Sequence, residues 1–233
     1  SSLNIRKIKK LIADNAQEDY VKKTVPTPIV SDKKVCIIGA GPAGVACGAY
    51  LRRNGISATV FERADVPMGV VGQIVPDFRI DKKLIYRDMG IAVKYGVDFK
   101  YGVDEKIDVK KIKKEYDFVV LATGALAKGY CPVKSGEENL ADALDFLREN
   151  KRLKGKMDLG DKVGVIGGGD VAMDCARAAK RGGTKDVYII YRRTKEFMPA
   201  EAEELLEAMQ DGVELIELLS PVSYDGKVAE LEV

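Results

Sequence analysis

Two glycine-rich turns, each placed between an apolar strand pattern and a helix pattern, constrain the fold of this chain more than any other feature. Residues 35–39 (VCIIG) and residues 163–167 (VGVIG) are short apolar runs that end at a glycine. Such runs are typical of strands buried on both faces of a parallel sheet. A helix pattern and a second strand follow each turn, so the order strand, glycine turn, helix, strand occurs twice. The sequence therefore predicts an α/β fold with two parallel-sheet domains.

The first turn has the spacing of a dinucleotide-binding fingerprint, GxGxxG. Its residues are Gly39, Ala40, Gly41, Pro42, Ala43 and Gly44. The first glycine of this fingerprint permits a tight turn, the second lets the backbone approach a pyrophosphate, and the third lets the helix pack closely on the strand. Glu62 ends the next strand, 23 residues after Gly39, where a carboxylate can accept hydrogen bonds from a ribose diol. We predict a dinucleotide site here, with its phosphates at the helix N-terminus.

The second turn is a variant of the same fingerprint, GxGxxA. Its residues are Gly167, Gly168, Gly169, Asp170, Val171 and Ala172, and alanine at the last position still permits close packing. The strand that follows ends in Arg192 and Arg193 rather than in an acid. Guanidinium groups bind a ribose 2′-phosphate, which a carboxylate would repel. This ending favours NADPH over NADH, and the alternative is that the two arginines form a solvated strand end.

The composition excludes several kinds of site. The chain of 233 residues has no histidine, which excludes Ser-His and Cys-His catalytic pairs and histidine-ligated metals. Its cysteines, Cys36, Cys47, Cys131 and Cys175, match no zinc or iron–sulfur spacing. None lies between Glu62 and Ile80, where disulfide reductases of this architecture carry a Cys-x4-Cys pair. A net charge of +2 gives no argument for a nucleic-acid or membrane partner, and without a signal-peptide pattern we expect a cytoplasmic protein.

The order of these patterns predicts three regions. Residues 1–32 combine an amphipathic helix over residues 3–15 with a linker that contains Pro26 and Pro28. The two domains then cover residues 33–130 and residues 131–233. Further helix patterns cover residues 83–94, 140–150, 171–180 and 200–211, and a glycine-bearing loop covers residues 68–73. Within the last helix pattern, the acids Glu201, Glu203, Glu204 and Glu207 predict a solvated helix start.

Six segments together resemble one protein family. In chain order they read KKVCIIGAGPAGVACGAYLRRNG, TVFER, VGQIVPDFRI, LATG, VIGGGDVAMDCARAA and YRRTKEFMPAEAEE. They resemble the small (beta) subunit of glutamate synthase, the flavin part of dihydropyrimidine dehydrogenase and the selenate reductase flavin subunit family. The resemblance covers nearly the whole chain. It implies two Rossmann-like domains, one for FAD and one for NADPH, with electrons passing from NADPH to FAD and on to an iron–sulfur-containing subunit or domain outside this chain.

The resemblance also implies which residues hold the two cofactors. For FAD, it implies Gly39, Gly41, Gly44, Glu62 and Arg63 at the pyrophosphate and ribose, Gly69 and Val70 along the cofactor, Arg79 near its flavin end, and the backbone of Val103 at the adenine. Ala122, Thr123 and Gly124 would form the strand-end turn at the domain crossover. For NADPH, it implies Gly167, Gly169, Asp170, Val171, Arg192 and Arg193, with Glu201 towards the nicotinamide.

The chain departs from this family at points that leave its function open. Met68 stands before Gly69 where the family has two glycines, and methionine does not readily adopt positive φ. The family's FAD domain is completed by a segment after the NADPH domain, so we expect the FAD domain here to lack its C-terminal segment and the NADPH domain to be incomplete. The main hypothesis is an electron-transfer oxidoreductase subunit. The alternatives are a non-catalytic nucleotide-binding or assembly module, a fragment without bound flavin, and a stand-alone NADPH-dependent reductase with a small-molecule acceptor.

Overall fold

The computed structural model describes residues 3–103, 108–127, 129 and 133–233, and the chain divides into two compact units. The first unit contains Ser1–Gly72 and Asp81–Gly124, and the second contains Gln73–Ile80 and Ala125–Val233. The chain therefore passes between the units three times. The division drawn on the sequence placed residues 73–80, and the stretch that begins at Ala125, in the first domain. The structure differs because these residues make their contacts with elements of the second unit.

The first unit is built around a four-stranded parallel sheet with the order β3-β2-β1-β4. Its strands are β1 (Lys34–Ile38), β2 (Ser57–Phe61), β3 (Asp98–Lys100) and β4 (Phe118–Leu121). The helices in this part of the chain are α1 (Ile5–Lys23), α2 (Pro42–Arg53), α3 (Gly69–Gln73), α4 (Lys82–Lys94) and α5 (Val109–Glu115). Ile37 of β1 is fully buried between Val60 and Val120 of the neighbouring strands. Because the strands are parallel, the loops after β1, β2 and β4 meet at one edge of the sheet.

The second unit repeats this plan around a three-stranded parallel sheet with the order β5-β6-β7. Its strands are β5 (Lys162–Ile166), β6 (Asp186–Tyr191) and β7 (Glu214–Glu217), followed by an antiparallel pair, β8 (Ser220–Tyr224) and β9 (Ala229–Glu232). Its helices are α6 (Ala143–Arg152), α7 (Asp170–Arg181) and α8 (Ala202–Gln210). Met173 of α7 and Ile189 of β6 are the centre of a buried apolar cluster. The loops after β5 and β6 again meet at one edge.

The N-terminal helix is longer than the sequence predicts. The apolar spacing that indicated a helix over residues 3–15 ends near Ile12, whereas α1 continues to Lys23 as an exposed, polar helix. The second half of α1 is held by polar contacts to the first unit, where the Tyr20 and Tyr95 hydroxyls lie 3.0 Å apart. The helix ends at Thr24, which is extended and stands two residues before Pro26. Among the described residues, no helix is long and apolar enough to cross a membrane.

Candidate nucleotide-binding sites

The first glycine turn joins β1 to α2 and is closed by approaches that only glycine allows. Gly39 has a φ of 107°, and a Cβ on it would lie 2.4 Å from the carbonyl oxygen of Ala122. A Cβ on Gly44 would lie 1.9 Å from the carbonyl oxygen of Gly39. The helix therefore approaches the turn more closely than a larger residue at either position would permit, as the fingerprint requires.

The space above Gly41 is open. No atom from another part of the described chain lies within 4 Å of a Cβ built on Gly41, whose φ of −69° and ψ of 176° are accessible to any residue. Gly41 is the N-cap of α2, and no side chain of the described part of the chain caps this helix. The amide groups of the first turn, with the partial positive charge of the helix N-terminus, are therefore available to an anion. A pyrophosphate fits this cradle.

Glu62 follows β2 and is buried beside this turn. Its Oε2 accepts a hydrogen bond from the amide of Ala40 at 2.8 Å, and its Oε1 accepts one from the amide of Ala64 at 3.0 Å. The amide of Val103 donates to the carbonyl oxygen of Glu62 at 3.0 Å and thereby reaches the same edge of the sheet. Each carboxylate oxygen keeps a lone pair, so Glu62 can hold the turn and still accept hydrogen bonds from a ribose. Arg63, the next residue, is exposed.

The segment that begins at Met68 lies over the first glycine turn. The amide of Met68 donates to the carbonyl oxygen of Ala40 at 2.7 Å, and a Cβ on Gly69 would lie 3.1 Å from the Cα of Gly41. Met68 has a φ of 68° and Gly69 a φ of 50°. The methionine thus adopts the left-handed conformation that the sequence made unfavourable, at a cost of about 1–2 kcal/mol. The loop predicted at residues 68–73 is the short helix α3, in which Val70 is exposed.

The turn after β4 completes this edge of the first sheet. The amide of Ala122 donates to the carbonyl oxygen of Ile38 at 2.8 Å, and the Cα of Thr123 lies 3.3 Å from a Cβ built on Gly39. Gly124 has a φ of 76° and is the last residue of the first unit. The structure therefore brings the predicted residues of the first turn, Glu62, Val103, Gly69, Ala122 and Thr123 to one edge. Arg79 is in the second unit, where it contacts Asp174 and Glu204.

The second glycine turn joins β5 to α7 and has the same plan. Gly167 has a φ of 137°, and a Cβ on Gly168 would lie 2.6 Å from the ring of Tyr191. Gly169 is the N-cap of α7. Among the residues that the structure describes, no side chain caps this helix and no atom from another part of the chain lies within 4 Å of a Cβ built on Gly169. Ala172 is buried where α7 packs on the sheet. This turn therefore offers a second open anion cradle.

A segment after β6 lies against this second turn. The Tyr191 hydroxyl donates to the carbonyl oxygen of Phe197 at 2.7 Å, and the amide of Ala200 donates to the carbonyl oxygen of Gly168 at 3.0 Å. The amide of Glu201 donates to Oδ1 of Asp170 at 3.0 Å, so the N-cap of α8 is joined to the first residue of α7. Val171, in the first turn of α7, is partly exposed.

Arg192 and Arg193 directly follow β6 and are both exposed. Within residues 3–103, 108–127, 129 and 133–233, no carboxylate lies within 4 Å of either guanidinium group. Tyr191, which directly precedes them, contacts Gly168. The two arginines therefore follow a residue that touches the second glycine turn. Two charges without a partner in this part of the chain are suited to a phosphate group.

The sequence matches the protein-family model described as Pyridine nucleotide-disulphide oxidoreductase over residues 33–218, a range that includes both glycine turns. The chain belongs to this family. FAD and NADPH are cofactors of the family, so the cofactors predicted from the sequence are confirmed at that level. Between residues 62 and 80 the chain has no cysteine. Cys36 and Cys175 are buried free thiols, and Cys131 lies outside the described residues.

Relatives of this chain are longer proteins. The chain is 39% identical over 228 residues to YgfK of Escherichia coli (strain K12), which covers 97% of this chain and 22% of that protein. It is 34% identical over 249 residues to the small chain of glutamate synthase (NADPH) from the same organism. That alignment covers 98% of this chain and 52% of the relative. The resemblance to glutamate synthase small chains is thereby confirmed. The chain spans between about a fifth and about half of the length of these relatives.

Solved structures show the same fold. Thioredoxin reductase of Lactococcus lactis superimposes with a TM-score of 0.61 at 23% identity, over 85% of this chain and 69% of that chain. The predicted fold class, α/β with two parallel-sheet nucleotide-binding domains, is confirmed.

Sequence reasoning missed a charged cluster in the second unit. The acids at the start of α8 were predicted to be solvated, and this is wrong for Glu204, which is half-buried and ion-paired with Arg79. Asp174 and Arg177 of α7, which were not singled out in the sequence, are buried beside it. The available signal was the presence of two charged residues in the interior of an otherwise apolar helix, AMDCARAA.

Proposed function

We propose that the chain is the cofactor-binding part of an oxidoreductase that passes electrons from NADPH to FAD and on to an iron–sulfur-containing subunit or domain outside this chain. One observation carries the proposal. Each of the two units has a glycine turn that ends at an uncapped helix N-terminus with open space above its middle glycine, Gly41 or Gly169. Two such cradles match a protein that holds two dinucleotides.

The first cradle suits FAD. The helix amides above Gly41 would bind the pyrophosphate, Glu62 would accept hydrogen bonds from the ribose, and the turn residues Gly39 and Gly44 would hold α2 in place. Around them we assign the remaining residues to the same cofactor: Ala40, Pro42, Ala43, Arg63, Gly69, Val70, Val103, Ala122, Thr123 and Gly124, with Arg79 towards the flavin.

The second cradle suits NADPH. The helix amides above Gly169 would bind the pyrophosphate, and Arg192 and Arg193 would bind the ribose 2′-phosphate with charge-assisted hydrogen bonds. We assign Gly167, Asp170, Val171 and Glu201 to the same cofactor. The Asp170 carboxylate does not oppose the phosphates freely, because the amide of Glu201 donates to it.

The residues of the chain need to do little beyond binding and orientation. When both cofactors are bound, they supply the hydride donor and the hydride acceptor. Such a transfer depends on proximity and alignment more than on acid–base groups, which agrees with a chain that has no histidine. The chain would bind the two pyrophosphates, hold α2 and α7 close to their sheets through the glycine contacts, and bind the 2′-phosphate between two arginines.

Two matched substitutions test this proposal. Gly41→Ala and Gly169→Ala each place a methyl group in open space at a backbone conformation that alanine adopts, so the fold should persist in both. We expect the first to weaken FAD binding at least about tenfold and leave NADPH unchanged, and the second to do the reverse, since each methyl group blocks one pyrophosphate. Calorimetric titration of each cofactor measures both, and each variant is the control for the other.

The wild-type chain allows a second test of the proposed function. A preparation loaded with FAD should be yellow and should lose its flavin absorbance when NADPH is added. A well-folded chain that binds NADPH and takes up no FAD would contradict the proposal and would favour the non-catalytic nucleotide-binding module. Turnover of added small-molecule acceptors without any partner would favour the stand-alone reductase.

A further inference from the structure

The second unit contains a group of buried charged side chains outside the glycine turns, which we call the arginine clasp: Arg79, Asp174, Arg177 and Glu204. Nη1 of Arg79 lies 3.1 Å from Oδ2 of Asp174, and its Nη2 bonds to Oε1 of Glu204. Nη1 of Arg177 lies 3.7 Å from Oε2 of Glu204. One guanidinium group from residues 73–80 is thus held between a carboxylate of α7 and a carboxylate of α8.

Residues 73–80 pack against the rest of the second unit at several points. Ile74 is 2% exposed in a cluster with Leu147, Cys175 and Ala178. Nζ of Lys151 donates to the carbonyl oxygen of Val75 at 2.6 Å and lies 3.1 Å from the carboxylate of Asp77. The ring of Phe78 contacts the guanidinium groups of Arg177 and Arg181, whose Cζ atoms lie 4.7 Å and 4.6 Å from the ring centroid. Arg79 is the last charged residue before the chain returns to the first unit at Asp81.

Asp174 is a buried carboxylate that is only partly satisfied by its neighbours. It is 5% exposed, and its Oδ1 has no hydrogen-bond partner among the described residues. Burial, with a smaller contribution from nearby Glu204, raises the pKa of this carboxyl to about 6 against the opposing effect of Arg79 and Arg177. Its ionised form is therefore less stable in the fold than in water. A buried carboxylate with a raised pKa and a specific charged partner is a candidate functional group.

The clasp is also close to the second cradle along both helices. Asp174 lies one helical turn after Asp170, the first residue of α7, and Glu204 lies one turn after Glu201, the N-cap of α8. Asp170 and Glu201 are themselves joined by a hydrogen bond. The same two helix starts therefore carry the contacts of the cradle and, one turn later, the contacts of Arg79.

We propose that Asp174 and Glu204 are positioning residues, which hold the guanidinium of Arg79 and thereby anchor residues 73–80 beside the NADPH cradle. The anchoring follows from the contacts of the second unit alone. Its effect on flavin reduction rests on the proposed function, in which Arg79 lies towards the flavin.

Hydrogen exchange in the full chain tests the anchoring. The amides of Arg79 and Ile80 both donate to the carbonyl oxygen of Pro76, at 3.0 Å and 3.4 Å, so they report whether the segment is held. Arg79→Gln leaves two buried carboxylates without their guanidinium, and we expect protection of these amides to fall at least about tenfold. Adding Asp174→Asn to this variant removes one unpaired charge but supplies no guanidinium, so most of the loss of protection should remain. Arg148→Gln, at an exposed ion pair of α6, is the matched control and should change nothing.

Protection that is unchanged in Arg79→Gln, or a double variant that recovers full protection without the guanidinium, would overturn the proposal. If Arg79→Gln does not fold, Arg79→Lys keeps the charge but cannot bond both carboxylates with a planar fork, and a smaller loss of protection is then required. In the FAD-loaded protein, Arg79→Lys should lower the limiting rate of flavin reduction several-fold with the dissociation constant of NADPH within about twofold of wild type. Equal changes in both quantities would contradict a positioning role. If the wild-type flavin is not reduced at all, the proposed function fails while the exchange experiment remains decisive for the anchoring.

Discussion

Arg192 and Arg193 are two exposed cations that directly follow Tyr191, the residue that contacts the second glycine turn. Under the proposed function they distinguish NADPH from NADH. We expect the double variant Arg192→Ala with Arg193→Ala to bind NADPH about ten- to a hundredfold more weakly, since charge-assisted hydrogen bonds contribute about 1.5–3 kcal/mol. NADH affinity should change less than about twofold. Titration of both nucleotides measures this, with Arg148→Ala as the control. No loss for either nucleotide would indicate a solvated strand end, and equal losses would contradict recognition of the 2′-phosphate.

Asp174 should make the free energy of unfolding decrease as the pH rises. Its pKa is raised from 3.8 to about 6 in the fold, so the folded state binds this proton more tightly than the unfolded chain. The resulting stabilisation is complete below about pH 4 and is lost as the pH rises through 6. Relative to wild type, Asp174→Asn should therefore gain on the order of 2 kcal/mol in unfolding free energy between pH 4 and pH 7.5. Urea denaturation at both pH values checks this, and a difference independent of pH would contradict it.

At the scale of elements, the strands and helices beside the glycine turns could be predicted to within about two residues. The expected helix over residues 171–180 is Asp170–Arg181, and the expected strand over 163–167 is Lys162–Ile166. Both are marked locally, by an apolar run, a glycine and a helix pattern. The second half of α1 carries no such mark, because its exposed residues have no apolar period.

Of the candidate sites, the glycine turns could be predicted from the sequence and the arginine clasp could not. The glycine turns and Glu62 could be predicted because their spacing within one βαβ unit is fixed by the ligand they serve. The clasp could not, since Arg79 and Asp174 lie 95 residues apart and nothing local to either indicates the other. The acids of α8 illustrate the limit: Glu203 is exposed as predicted, and Glu204, its neighbour, is turned to a partner from a distant segment.

The entry to α3 is a second element whose conformation can be tested. Met68 has positive φ, yet its side chain packs against the apolar cluster of the first unit. Met68→Gly should relieve the backbone strain and lose the packing, with a net change in unfolding free energy below about 1 kcal/mol. Met68→Val should lower it by about 2 kcal/mol or more, because a β-branched residue tolerates positive φ poorly. Urea denaturation of the two variants measures the contrast, and a stable valine variant would contradict the strain.

At the scale of the whole molecule, the unusual feature is that residues 73–80 belong to the second unit while both flanking segments belong to the first. Ile74 is the residue through which this arrangement contributes a core side chain. We expect Ile74→Ala to lower the unfolding free energy by about 2–5 kcal/mol. Hydrogen exchange should locate the loss in α6 and α7. Ile85→Ala, at a buried position of α4, is the control and should weaken the first unit; a loss confined to the first unit in both variants would contradict the assignment.

The chain passes between the two units three times, so the second unit is not encoded by one continuous gene segment. A gene segment that starts at residue 125 encodes the parallel sheet and the helices α6, α7 and α8 of the second unit but omits residues 73–80, which pack on Leu147 and Cys175. A chimera made at that junction would expose an apolar surface, and it would leave Asp174 and Glu204 without their guanidinium. Transfer of the second unit between relatives therefore has to include two separate stretches of sequence, residues 73–80 and residues 125–233, and the shorter stretch lies within the sequence of the first unit.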